Sequence, residues 1–204
     1  MALLTELMPS VLKASLEHGL EHPIFKHITM YSHHIAKPTS YVMGLFVTDR
    51  HLQNSERHIM ADMAQQITNH IFAATIPQIM GLFDGFTYQT YFNATIQETS
   101  HRAIFECEQH NIPKSYAIFY PYDFPNNTPP ANDVHLHGAP VYSSEYCRQA
   151  AIFNDGAIAW GYDSPMEFKT TRDKFRQGWE VAIRFTYSYI LKNPAYGIKI
   201  GKGD

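Results

Sequence analysis

Ile59, Met63, Ile67 and Ile71 recur at every fourth position, and Met60, Ala64 and Ala74 widen the same stripe. That spacing predicts an amphipathic helix from Asn54 to Thr75, capped by Asn54 or Ser55, and the rest of the chain must offer it an apolar surface. Pro77 then starts a short second turn that stops at Gly81.

Elements of both kinds flank this helix. Val11, Leu12, Ser15 and Leu16 give one face to a helix over Met8–His18, with Pro9 in its first turn and Gly19 as its stop. Ile24–Tyr31 and Tyr41–Val47 read as strands joined through Ser32–Ser40, and Phe86–Phe92 alternates as a third. Thr95-Ile96-Gln97-Glu98 is a capping box opening a helix that ends at Asn111, before Pro113. Ser115–Tyr120 reads as an apolar strand. Pro121, Pro125, Pro129 and Pro130 then keep residues 121–132 out of any ladder, leaving a long loop. Ser143 or Ser144 opens a helix reaching Phe153, and Ala157–Tyr162 reads as a strand. Phe175, Trp179, Ile183, Tyr187 and Ile190 mark a last long helix over Arg172–Lys192. The expectation is an α+β fold: one domain over residues 1–204, a mixed or antiparallel sheet, and about four to five helices, with doubly wound α/β as the alternative.

Composition narrows the functions. Hydrophobic residues make up 45% and charged residues 17%, with a formal net charge of -3 and no basic stripe, which argues against nucleic acid as the main ligand. Cys107 and Cys147 form no Cys-x-x-Cys pair and read as small buried hydrophobes. Met1–Pro9 has no basic lead and no apolar core, and no run is long enough to span a bilayer, so the expected setting is the cytoplasm or a virus particle assembled there. The searches for a nucleophile elbow, a P-loop and a dinucleotide fingerprint find nothing.

One stretch carries possible metal chemistry. If residues 132–140 are extended, Asp133, His135 and His137 share a face while Val134 and Leu136 share the other. Asp133–Gly138 resembles the Asp-x-His-x-His-Gly strand end of metal-dependent amidohydrolases. That family sets the motif on the first strand of a full (β/α) barrel, for which this chain is too short, so the family is not carried over. Zinc or iron would need a further ligand, for which His101 on the capping-box helix is the candidate. Glu98 and His101 have the Glu-x-x-His spacing of di-iron bundles, but one copy is present and the cap already explains Glu98.

Few charges beside 13 Tyr and 13 Phe describe a surface inclined to be covered by partners. Tyr120, Tyr122 and Phe124, on and beside the stiff proline loop, are the candidate contact residues. The reading is therefore a structural or assembly subunit of a larger homo- or hetero-oligomer, without a cofactor, such as a viral tail, neck or capsid accessory protein. The rival is a metal-dependent hydrolase or oxygenase built on Asp133, His135 and His137.

Overall fold

The computed structural model describes residues 2–21, 23–26, 28–30, 39–92, 94–121 and 135–202. They form an α+β fold with two sheets, one of strand order β1-β8-β9-β2 and one of order β3-β10-β7-β4-β6-β5. The strands in chain order are β1 Thr29–Met30, β2 Thr39–Thr48, β3 Tyr88–Phe92, β4 Tyr116–Pro121, β5 His135–Leu136, β6 Ala139–Ser144, β7 Ala150–Asn154, β8 Ile158–Asp173, β9 Gly178–Leu191 and β10 Gly197–Lys202. The helices are α1 Ala2–Leu20, the four-residue α2 Pro23–Lys26, α3 Glu56–Gly81 and α4 Ile96–Gln109, so long helices are fewer than expected. The chain packs as two compact units: Met1–Glu21 with Ser32–Phe72 and Gly161–Ser188, and His22–Tyr31 with Ala73–Trp160 and Tyr189–Asp204.

In the first unit α1 buries Leu4, Met8, Val11, Leu12 and Ser15 along one face, and α3 buries Ile59, Met63, Ile67 and Ile71. The two helices meet at small polar groups. The Ser15 hydroxyl donates to Val11 O (2.8 Å) and Ala64 O (3.3 Å), while the Thr68 hydroxyl donates to Ser15 O (3.2 Å), so this close crossing leaves neither hydroxyl unpaired. Strand β2 runs antiparallel to β9, setting Met43 opposite Ile183 and Leu45 opposite Val181. All four are buried while Val42 and Gly44 face out, the alternation of a sheet with one wet face.

The second unit is built on the six-stranded sheet, covered on both faces. Toward one side point Ile118, Tyr120, Ile152, Ile198 and Ile200, packed with Ala103, Ile104 and Cys107 of α4. Toward the other point Ala117, Phe119 and Phe153, joined by Phe83 and Phe86. This is why β4 and β7 are continuous apolar runs rather than alternating ones. Gly197 is required here, because a Cβ would sit 2.5 Å from three atoms of the Phe86 ring. The capping box forms as expected: Glu98 N donates to Thr95 Oγ1 and Thr95 N donates to Glu98 Oε2, both at 3.3 Å.

Four expected elements differ. Residues 172–192 form the β8–β9 hairpin, not a helix: a four-residue spacing is even, so it fits a strand face as well, and the β-branched and aromatic content of Val181–Ile190 favours the strand. The helix expected over 143–153 is the end of β6 and all of β7, whose five residues are buried on both faces. Pro23 starts a helical turn, leaving only Thr29 and Met30 of the expected strand, parallel to Ala159 and Trp160 of β8. Helix α3 runs on through Pro77 to Gly81, carried by burial of Ile76, Ile79 and Met80.

Burial pushes the Cys107 thiol up to about 12, with Glu106 and Glu108 adding to it, and pushes the Tyr120 hydroxyl up to about 12 against a hydrogen bond with Ser100. Both groups fold in the neutral form, so a raised folded pKa leaves stability intact below the unfolded values of 9.0 and 10.0. Stability is then lost as pH climbs from about 9 toward 12. Urea titrations should give a level midpoint from pH 7 to 8.5 and a falling one above 9, and Cys107→Ala should flatten the first part of that fall. A midpoint indifferent to alkali would contradict the burial of both groups.

Candidate assembly surface

The β8–β9 hairpin ends in Asp173-Lys174-Phe175-Arg176-Gln177-Gly178. Asp173 Oδ1 accepts from the backbone N–H of Phe175 (2.9 Å) and of Arg176 (3.0 Å), an Asx turn that shapes the tip. Gln177 takes a positive φ of 48°, and its carbonyl accepts from Asp49 N (3.0 Å). Gly178 is needed for close approach, because a Cβ would lie 2.7 Å from Val47 O and 2.4 Å from the Phe46 ring. Arg172 grips Asp49 through both terminal nitrogens (2.8 and 2.6 Å), donates to Gly178 O (2.8 Å), and lies over the Trp179 ring. Arg176 lies 3.8 Å above the Phe46 ring and reaches Glu180 at 3.2 Å.

This network leaves Phe175 alone at the tip, 101% exposed. Burying a phenylalanine side chain is worth about 1.5–3 kcal/mol, and the turn has already fixed its backbone, so a partner that covers it gains apolar burial at reduced ordering cost. The sequence reading missed it, setting Phe175 on a buried helix face. The signal was the turn chemistry of Asp173 and Gly178, outweighed by the four-residue spacing. Val42, in the same unit, and Tyr91 and Phe105, in the other, are also exposed apolar groups.

The expected site residues are placed differently. Tyr120 is fully buried, its hydroxyl 2.8 Å from Ser100 Oγ, so its side chain is core and not contact surface. Tyr122, Phe124 and Asp133 lie outside the described residues. The alternation expected through His135 and His137 stops at Leu136. His137 (φ 51°) and Gly138 (φ 84°) both take positive φ between the paired residues Leu136 and Ala139, the pattern of a two-residue type I′ hairpin turn. His137 thereby leaves the strand face of His135 and comes against His101 of α4, with ring centroids 4.6 Å apart. Among the described residues, which leave out Asp133, no group of three or more His, Cys, Asp or Glu could hold a metal.

A cavity of about 160 Å³ is lined by Leu45–Thr48, His51, Asp62, Met63 and Gln66. It is smaller than the usual small-molecule site, roughly 300–1,000 Å³. His51 Nε2 is buried and stands 3.4 Å from Asp62 Oδ2 without a hydrogen bond. No described helix is long and apolar enough to cross a membrane.

No protein-family model and no curated protein matches the sequence. Solved structures do match in fold. A chain of the virus-like particle from Pyrococcus furiosus aligns at 9% identity and TM-score 0.65, covering 94% of this chain and 96% of that one. A chain of the satellite phage P4 procapsid, a structure that includes a size determination protein, aligns at 8% identity and TM-score 0.62, covering 98% and 99%. A chain of an encapsulin complex from Synechococcus elongatus aligns at 10% identity and TM-score 0.53, covering 82% and 74%. At such identities the likeness is one of fold: this chain is folded like chains of a virus-like particle, a procapsid and an encapsulin complex.

Proposed function

We propose that this chain is a shell-forming structural subunit, copies of which assemble into a closed particle of viral or virus-derived type. The observation that carries the reading is the nearly complete mutual coverage with the satellite phage P4 procapsid chain, 98% and 99%. A match that covers nearly all of both chains leaves little of this one for a separate catalytic module, and the same holds for the virus-like particle chain at 94% and 96%. Within the broader class of viral assembly proteins, these likenesses favour the shell over a tail or neck role. The working location is the particle itself, and the partner is more of the same chain.

The hairpin tip supplies the first contact to test. Purified protein should sediment as large particles, visible by negative-stain electron microscopy. Phe175→Ser should leave the circular dichroism spectrum and thermal midpoint unchanged while lowering particle yield at least tenfold. Wild-type protein that stays monomeric at high concentration, with and without co-expressed partners, would sink the shell reading. Normal assembly of Phe175→Ser would remove the hairpin tip from the contact while leaving the shell reading to the sedimentation result.

A further inference from the structure

The His101–His137 pair has a geometry that the assembly reading does not use. His101 sits within α4, and His137 occupies the first turn position between β5 and β6, where Gly138 follows it. Both rings are exposed, and their backbones are fixed by independent means: a capped helix on one side, and on the other a type I′ turn that holds its φ angles. The rings lie 4.6 Å apart between centroids and are tilted by 58°.

That separation meets a metal requirement. An imidazole nitrogen binds zinc at about 2.0–2.1 Å, which puts the ring centroid about 3.2 Å from the ion, and two such rings at right angles to tetrahedral spacing stand roughly 4.5–5.2 Å apart. The observed 4.6 Å falls in that window. Flat stacking would bring the planes nearly parallel, as Tyr88 and His110 do at 22°, whereas His101 and His137 are tilted by 58°. Three other histidines are paired with carboxylates: His18 with Glu21 at 3.2 Å, His51 with Asp62 at 3.4 Å and His110 with Glu106 at 3.4 Å. Among the described residues, His101 and His137 have no ion-pair or hydrogen-bond partner, so their nitrogens are available as ligands.

We propose that His101 and His137 form a two-nitrogen site for a borderline divalent transition ion such as Zn²⁺, Ni²⁺ or Cu²⁺, which clips the β5–β6 hairpin to α4. Imidazole donors suit these ions and not Mg²⁺ or Ca²⁺. The remaining coordination positions are open to water or to a group from another molecule. The proposal stands apart from the shell reading and survives its failure.

Isothermal titration of the full chain with NiCl₂, and separately with ZnCl₂, in a non-chelating buffer tests it. His101→Gln keeps a helix former, and His137→Asn keeps a residue tolerant of positive φ, so both variants should fold, as judged by circular dichroism. The expected result is one ion per chain, affinity weakened at least tenfold in each single variant, no further loss in the double variant, and no change in His135→Ala. The thermal midpoint of the parent should also rise by a few degrees with saturating ion and that of the variants should not, since an ion bound only to the folded chain stabilises it. Absence of saturable binding up to millimolar ion, or binding that persists in His137→Asn, would overturn the site.

Discussion

Phe153→Ala should lower the unfolding free energy by about 3–5 kcal/mol, the range for deleting a fully buried aromatic ring. Phe153 is 0% exposed on β7, which pairs with β10 on one side and β4 on the other. Its ring is stacked on Phe119 (4.9 Å) and lies against Phe83 (5.5 Å) and Phe86 (6.0 Å). Rings collapse poorly into a vacated space, and Phe86 is already held against Gly197, so the cavity stays open and the loss falls toward the upper end. Urea unfolding followed by fluorescence and circular dichroism measures it, with the exposed Phe105→Ala as a control expected to change little. A loss below about 1 kcal/mol at Phe153 would mean that the aromatic cluster is not core.

Ile67→Ala should cost about 2–5 kcal/mol. The residue is 0% exposed at the centre of the Ile59, Met63, Ile67, Ile71 stripe, one position before Thr68, whose hydroxyl bonds to α1. Loss of three side-chain carbons there weakens the packing of α3 in the first unit. Denaturant titration of unassembled protein reads the effect. If the variant unfolds like the parent but fails to assemble, the stripe faces another subunit and not the core.

Much of this was legible in the residues because several segments admit a single period. Helix α3 shows a four-residue stripe with polar residues between, a pattern no strand can bury, and α4 carries its own start signal in Thr95 and Glu98. Strand β2 and the β4 run were equally readable. The hairpin β8–β9 was not, because Phe175, Trp179, Ile183 and Tyr187 satisfy both periods, and only the intervening Val181 and Phe185, buried on the same face, decide between them. At the candidate site, a His-Gly turn was folded into a presumed strand, so His137 was aligned with His135. The meeting of His101 with His137 joins residues from separate elements, which no local pattern contains. Phe175 was read as apolar and therefore inside, although a turn tip has no inside.

Strand β10 lies between β3 and β7 in the six-stranded sheet, parallel to one and antiparallel to the other. Everything else in that sheet is made before it: β3 begins at Tyr88 and must wait for Ile198, its opposite number, more than a hundred residues later. During synthesis, β3 therefore leaves the ribosome with no neighbour, and β7 with only one, until the segment around residue 200 emerges. Pairings of such long sequence separation form slowly and expose unpaired edges meanwhile. A nascent chain stalled before β10 holds an open sheet edge lined with Ile152 and Phe153, the form most prone to stick to its neighbours on a polysome. Completion of the subunit is thus a late, single event, and chains that have not reached it are kept from building anything that requires the finished sheet.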